Sequence, residues 1–339
     1  MEVKLFEKFN HTQILKESLE QGASELVEVF YHYDKLSYNL DLDTRIIKEL
    51  YDKSSEEDFD PYSHLTEIDF IDEKKDCVLS FGDSNKKMKK LGIVYFSLPA
   101  GYTCPFADVC KSFAHKKGGK FANGKSIRDE GIYRCYSAST ETIYPSTRNN
   151  RWKNLDLLKK FKTIEEKAEL ILKSINYYET HNKKISILRM HESGDFFTQD
   201  YFDAWMKVAE KRKDILFYGY TKAIGFLVKR KNVLPKNFRL VGSVGGTQDD
   251  ILFANPDIRK AYIVETEQEA RDRKLNIDIN DYLAIGGQKD FALLLHGVQP
   301  VETGLNSISR DNSKKTAEKS KRFIISKEMV QSVAKKYTS

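Results

Sequence analysis

Six short apolar runs, separated by stretches with helical spacing, constrain the fold of this chain more than any other feature. The runs are nearly uninterrupted and rich in Val, Ile, Leu, Phe and Tyr, which is typical of strands buried on both faces. They cover residues 93–100, 185–190, 215–221, 238–244, 261–266 and 291–297. Strands that alternate with helices predict a parallel sheet with right-handed crossovers. We therefore expect an α/β fold with parallel strands, of the partial (βα)6-barrel type.

The chain of 339 residues falls into three parts on this interpretation. Residues 1–90 are expected to form an N-terminal, α-rich extension or lid. Residues 91–300 form the partial barrel, with a cysteine-bearing segment at 101–140. Residues 301–339 form a polar linker and a basic C-terminal helix. Cys77 lies in a separate strand-like run and is expected in the core.

The composition excludes several classes of protein. With 40% apolar and 31% charged residues, the chain is globular and neither disordered nor fibrous. It has no run of eighteen apolar residues and no apolar stretch at its start, so we expect no membrane contact, no signal peptide and a cytoplasmic location. The net charge of +6 permits an anionic partner such as nucleic acid without requiring one.

Polar residues of uncommon type follow the predicted strands. Ligands of parallel α/β sheets bind beyond the carboxyl ends of the strands, so these residues are expected to meet in one pocket that takes a small-molecule or nucleotide substrate. The candidate catalytic residues are Glu192, Asp195, Lys222 and His296. The candidate cofactor-binding residues are Ser193, Gly194, Ser243, Gly245 and Gly246. Two simpler roles stay open, a turn or helix cap for Asp195 and a core position for His296.

Three of the four cysteines, Cys104, Cys110 and Cys135, fall within one segment. In a reducing compartment such clustering indicates metal binding or catalysis before it indicates a disulfide. Three thiolates at one site leave a fourth position free. We expect a 4Fe-4S cluster. Two alternatives stay open, a zinc ion completed by His115 and three buried, inert cysteines.

A further stretch places Arg148, Arg151 and Trp152 together at the start of a predicted helix. Arginine beside an aromatic ring suits contact with phosphates and stacking on bases, so these residues are candidates for nucleic-acid contact. A hydrated helix start with Trp152 buried explains the same residues equally well.

Several separated motifs resemble, in the same order, the gene product 88 domain family of phages. They read SLPAGYTCPFADVCKS, RCYSAST, YPSTRNNRW and HESGDFFTQDYFDAW, and the resemblance runs from about residue 90 to about residue 300. It implies a protein of a phage or prophage, acting in the cytoplasm of an infected or lysogenic bacterial host, and brings no settled activity.

The layout is also similar, more remotely, to radical S-adenosylmethionine enzymes. These are partial barrels of six strands with three cluster-binding cysteines after the first strand and a glycine-containing acidic motif after the second. Cys104, Cys110 and Cys135 match the first feature, and the segment 192–195 loosely matches the second. The resemblance implies an iron–sulfur enzyme, with S-adenosylmethionine as a further cofactor, that modifies a nucleotide or nucleic acid. The compact cysteine spacing usual in those enzymes is absent from this sequence.

Two competing interpretations remain. One is a zinc-binding protein similar to tRNA-guanine transglycosylases that inserts a 7-deazaguanine base into DNA, for which Asp195, Asp249 and Asp250 would be the nucleophile and base. Six strands instead of eight, and cysteines after the first strand instead of the last, argue against it. The other is a non-enzymatic, zinc-stabilised module that binds nucleic acid through its basic tail and Arg148 and Arg151.

Overall fold

The computed structural model describes residues 77–124, 133–297, 299, 305–322 and 325–338. The N-terminal extension predicted over residues 1–90 therefore lies outside the described residues up to residue 76. Residues 78–339 form one compact unit.

The core of this unit is an eight-stranded sheet in which all pairs but one are parallel. Its strand order is β1-β2-β5-β6-β7-β8-β10-β9, and β3 and β4 form a separate hairpin. The strands are β1 Phe81–Gly82, β2 Val94–Ser97, β3 Ser112–Ala114, β4 Phe121–Asn123, β5 Ile187–Ser193, β6 Leu216–Thr221, β7 Phe238–Ser243, β8 Lys260–Val264, β9 Asn276–Ile277 and β10 Phe291–Leu294. Each of the six predicted apolar runs overlaps one of the parallel strands, and the predicted α/β class is confirmed.

Helices fill the connections between the strands. They are α1 Lys86–Leu91, α2 Tyr136–Ile143, α3 Pro145–Lys160, α4 Ile164–His181, α5 Gln199–Lys211, α6 Ile224–Arg230, α7 Asp249–Phe253, α8 Glu267–Asp272, α9 Tyr282–Gly286, α10 Leu305–Arg322 and α11 Lys327–Lys335. Local chemistry sets several of their starts. Pro145 opens α3, a capping box of Thr163 and Glu166 opens α4, and the Thr198 side chain caps α5.

The six long parallel strands lie side by side in the order in which the chain makes them. Ile187 of β5 pairs with Leu216 of β6, as the prediction of adjacent second and third strands requires. Right-handed crossovers between strands added in one direction place successive helices on the same face. Buried side chains of α3 to α7 accordingly join one apolar cluster with β2, β5, β6 and β7, centred on Phe96, Trp205 and Phe217. The six long strands are thus added in one direction across the sheet, with α3 to α7 on one of its faces.

The opposite face of the sheet is covered by α1, α9 and α11. Val330 of α11 and Ile285 of α9 are buried against Ile187, Leu216 and other side chains that point away from the outer helices. The C-terminal helix is therefore part of the core, where the sequence indicated only an appended basic helix.

Several details differ from the expectation. The antiparallel strand β1 and the edge strand β9 have two residues each, too few to show a periodic pattern. The polar linker predicted after residue 300 is helical from Leu305, because α10 is fixed by polar contacts. The buried Asn312 amide donates hydrogen bonds to the backbone carbonyls of Glu265 and Leu295. Cys77, expected in the core, is exposed.

Candidate functional site

A cavity of about 250 Å³ lies at the carboxyl ends of the parallel strands. Parallel strands deliver these ends to one edge of the sheet, so residues far apart in sequence meet there. Most of the predicted site residues line this cavity. They are Cys104, Cys110, Cys135, Glu192, Ser193, Gly194, Asp195, Lys222, Ser243 and His296.

The loop that carries Cys104 and Cys110 is held over the end of β7 by the glycine pair. Ala107 and Gly246 form an antiparallel bridge, and the Val109 amide donates to the Gly245 carbonyl at 3.3 Å. A Cβ atom on Gly246 would stand 2.8 Å from the Phe106 carbonyl oxygen. Gly245 and Gly246 do not line the cavity. Their predicted cofactor-binding role is thus replaced by a structural one, since the backbone that approaches them closely belongs to the cysteine loop.

Two of the three thiols, those of Cys104 and Cys135, have raised pKa values, to which their cysteine neighbours contribute. Burial raises the pKa of Cys104 well above its ordinary value. The nearby Asp195, Cys135 and Cys110 raise it further. Burial and Cys110 raise the pKa of Cys135 to about 11, although amides at the start of α2 and Arg151 oppose the shift. These two cysteines are therefore neutral thiols at neutral pH unless a cation shares the cavity.

The three cysteines share the cavity without forming an ion-sized site. Across the ranges that the structure covers, no group of three or more His, Cys, Asp or Glu side chains is arranged to hold a metal ion. Thiolates bound to one zinc ion at about 2.3 Å lie roughly 4 Å apart, which is closer than a cluster of several iron atoms would hold them. The cavity is thus lined by three sulfur atoms, but the described residues form no preformed metal site.

Asp195 joins the ends of β5 and β6. Its carboxylate accepts hydrogen bonds from the Thr221 hydroxyl at 2.7 Å and from the backbone amides of Lys222 at 2.8 Å and Phe196 at 2.7 Å. It does not cap the following helix, because Thr198 does. Burial raises the pKa of Asp195 to about 6, against the opposing effect of these donors.

Lys222 and His296 both line the cavity, and hydrogen bonds fix both side chains. The Lys222 ammonium donates to the Ser243 hydroxyl at 2.7 Å and to the Val244 carbonyl at 2.9 Å. The His296 Nδ1 lies 3.0 Å from the Leu294 carbonyl, so it must carry the proton, which leaves Nε2 as an acceptor. Burial lowers the pKa of His296, which keeps the ring neutral at neutral pH.

Two of the residues predicted to contact nucleic acid are buried. Arg151 donates to the carboxylates of Glu141 and Glu192, each at 2.8 Å, and Arg148 donates to the Glu141 carbonyl at 2.7 Å. They therefore hold α2, α3 and β5 together, and neither guanidinium is presented to a phosphate. A buried ion pair and an exposed arginine look alike in sequence. Trp152 is half-buried, with its ring 4.8 Å from that of Tyr102.

The residues assigned to the zinc-based alternatives do not come together. His115 is exposed, and its amide bonds to Lys120 in the β3–β4 hairpin instead of reaching the cavity. The Asp249 carboxylate accepts from the amides of Gly245 and Gly246, and Asp250 is exposed. His115, the fourth ligand of the zinc alternative, therefore does not line the cavity. Of the three aspartates of the transglycosylase alternative, only Asp195 lines it.

Sequence reasoning passed over His191 as a site residue. It lines the cavity, and its Nε2 lies 3.0 Å from the Tyr201 hydroxyl. Its buried Nδ1 has no hydrogen-bond partner in the structure. Burial lowers its pKa to about 3, and its φ of +57° is uncommon for a residue other than glycine. Its position between a strand and the motif at 192–195 was the only signal in the sequence.

The fold and the cavity define the class of this protein. It is an α/β protein with a mostly parallel, singly wound sheet and a cysteine-lined cavity at the carboxyl ends of its strands. Among the described helices, none has both the length and the apolar character needed to cross a membrane.

The chain belongs to the gene product 88 family of phage proteins. The family model, described as gene product 88, matches residues 77–327, which is more than half of the chain and includes all the residues that line the cavity. This confirms the resemblance drawn from the separated motifs. No curated protein and no solved structure matches the chain. The resemblance to radical S-adenosylmethionine enzymes stays a prediction.

Proposed function

We propose that this protein is an iron–sulfur enzyme of radical S-adenosylmethionine-like layout that modifies a nucleotide or nucleic acid in the cytoplasm of a phage-infected or lysogenic bacterium. Cys104, Cys110 and Cys135 would hold a 4Fe-4S cluster. When bound by three thiolates, such a cluster leaves one iron open to a small ligand and can supply it with a single electron.

One observation carries the proposal. Three cysteines from two separate stretches of chain line the same cavity, and this cavity lies at the carboxyl ends of a singly wound parallel sheet. The two apolar clusters that pack against the sheet contain none of these cysteines. Packing of the core therefore does not explain why the three cysteines line one cavity.

The remaining residues of the cavity suit a polar ligand beside the thiolates. The Lys222 ammonium is held at the rim by Ser243, where it can neutralise a carboxylate or phosphate. Glu192 is held by Arg151 at 2.8 Å and by the Ser97 hydroxyl at 3.2 Å, so its position is fixed before a ligand arrives. The neutral His296 ring can accept a hydrogen bond from a bound ligand through Nε2, and the neutral His191 ring can form one through Nδ1.

The test is anaerobic purification followed by joint quantification of iron, sulfide and zinc, with an ultraviolet–visible spectrum. We expect about four iron and four sulfide per chain, with no stoichiometric zinc. Single substitutions Cys104→Ser, Cys110→Ser and Cys135→Ser should each lose most of the iron. Cys77→Ser is the matched control, because Cys77 is exposed and does not line the cavity.

Two further results decide the assignment. Full iron content in all three variants would reject the cysteine ligands, and stoichiometric zinc without iron would reject the cluster. If the cluster is present, incubation with S-adenosylmethionine and a strong reductant should release 5′-deoxyadenosine. A loaded protein that releases none would retain the iron–sulfur assignment and lose the S-adenosylmethionine one.

A further inference from the structure

A second cavity, of about 880 Å³, adjoins the cysteine-lined one and opens between α2 and α10. Arg134, Tyr136 and Gln299 line both cavities, so these side chains lie between the two at this point. The Tyr136 ring stands 5.4 Å from the ring of His296, which lines the inner cavity. We call this second cavity the outer groove.

The outer groove is positively charged. Arg134, Arg310 and Lys314 line it, and none of its described lining residues carries a carboxylate. Arg310 and Lys314 are exposed and lie one turn apart on the same face of α10. The sequence of this helix, residues 305–322, contains six basic and two acidic residues. Such a surface suits a ligand with several negative charges.

Two tyrosines give the groove a second property. Tyr136 is 49% exposed and Tyr144 is 56% exposed, although aromatic rings of this size are usually buried in a protein core. Tyr136 is the first residue of α2 and Tyr144 directly follows its last, so they stand eight residues, or about 12 Å, apart along the helix axis. Exposed rings beside cations are the features on which unpaired bases stack while their phosphates are neutralised.

We propose that the outer groove binds single-stranded nucleic acid, with its phosphates on Arg310 and Lys314 and a base on Tyr144, and directs one nucleotide past Tyr136 into the cysteine-lined cavity. This inference rests on the proposed function, because it names the substrate that the cysteine-lined cavity would modify. A duplex hides the faces of its bases from such rings, and chemistry on a base in a cavity requires the base to leave the stack.

The groove replaces the surface expected from sequence. Arg148 and Arg151 are buried in ion pairs and hydrogen bonds, whereas Arg310 and Lys314 come from the segment that was expected to be a linker and tail. The nucleic-acid contacts are thus moved from the start of α3 to the face formed by α2 and α10.

The experiment is fluorescence anisotropy with a labelled, mixed-sequence single strand about 15 nucleotides long, at salt concentrations from about 50 to 200 mM. The double variant Arg310→Ala/Lys314→Ala should bind at least about tenfold more weakly at the low salt concentration, and its slope of log affinity against log salt should fall by about 1.4. Tyr144→Ala should weaken binding about fivefold or more without changing that slope.

Lys159→Ala/Lys160→Ala is the matched control. It removes the same charge from the exposed end of α3, and neither lysine lines the groove. We expect it to bind like the unchanged protein. Equal weakening in both double variants would overturn the groove and indicate attraction by net charge alone. Preference for a duplex, or equally tight binding of a mononucleotide, would overturn the single-stranded substrate.

The result is separable from that of the proposed function. Binding that depends on the groove residues in a protein without iron would support the groove and reject the iron–sulfur enzyme. A protein with a full cluster whose binding ignores Arg310, Lys314 and Tyr144 would retain the enzyme and reject this substrate.

Discussion

At the scale of single residues, burial decides which chemistry a side chain can offer. Asp195 and Glu192 belong to one short motif, yet their surroundings differ. Glu192 is paired with Arg151, whereas Asp195 lies among backbone amides and one hydroxyl, where burial raises its pKa to about 6. The same burial keeps His191 neutral, with its pKa lowered to about 3. The cavity thus holds neutral imidazoles beside a carboxyl group that titrates near neutral pH.

This pKa predicts how the stability of the metal-free protein depends on pH. The pKa of Asp195 is about 6 in the folded protein and 3.8 when exposed, so the folded state holds this proton more tightly than the unfolded chain. Its contribution to the free energy of unfolding is therefore greatest below about pH 4 and is lost as the pH rises through about 6, by up to about 3 kcal/mol.

Urea unfolding at several values between about pH 4 and pH 7 measures this contribution. The variant Asp195→Asn cannot titrate, so its stability should fall less over that interval than the stability of the unchanged protein. The amide side chain of this variant also lacks one of the two carboxylate acceptors, so the variant should be less stable at every pH. The comparison therefore uses only how the stability of each protein changes with pH. Identical pH dependence in the two proteins would show that Asp195 stays ionised in the folded state.

At the scale of elements, two loops that approach each other closely build the cavity. Gly194, with a φ of +85°, follows β5 and lies against the loop after β2. A Cβ atom there would stand 2.5 Å from the Thr103 hydroxyl and 2.7 Å from the Leu98 Cβ. The glycine in this motif is therefore required by packing between loops as well as by its backbone angle, and the loop that follows β2 is the one that carries Cys104.

Gly118 allows these two requirements to be separated. It has a similar φ of +74°, but no atom lies within 4 Å of its added Cβ. Gly118→Ala should cost about 1 kcal/mol for the left-handed backbone alone, whereas Gly194→Ala should cost about 3 kcal/mol because the loops must also move apart. Chemical denaturation of both variants checks this, and equal losses would mean that the loops adjust freely.

The elements also show where the sequence is informative. Long parallel strands have a visible pattern, and their order along the chain places Cys104, Asp195 and Lys222 at one edge. The two-residue strands and the polar helix α10 have no such pattern in the sequence, and neither does the burial of Arg151. Short strands and buried ion pairs depend on partners that are distant in sequence. The pair Gly245 and Gly246 was expected to approach a cofactor, whereas in the structure it contacts the backbone of the cysteine loop.

At the scale of the whole molecule, the helices α3 to α7 cover only one face of the sheet. The chain closes the other face with α1 from before the first long strand, α9 from the last crossover, and α11 from beyond the barrel. Residues that precede and residues that follow the predicted barrel segment, 91–300, in the sequence thus complete its core. The family match extends in the same way, from residue 77 to residue 327, beyond the segment that contains the six strands.

Substitutions in α11 test this role of the C-terminal helix. Val330 is fully buried against the sheet, whereas its neighbour Met329 is 46% exposed. Val330→Ala should lower the free energy of unfolding by about 2 kcal/mol, from the lost burial of two methyl groups and the cavity they leave. Met329→Ala removes more atoms but should change it by less than about 0.5 kcal/mol, because those atoms lie largely in water. Thermal and urea unfolding of the two variants give the comparison. A Val330→Ala protein as stable as Met329→Ala would show that α11 is an appended tail, and the inner face of the sheet would then need another cover.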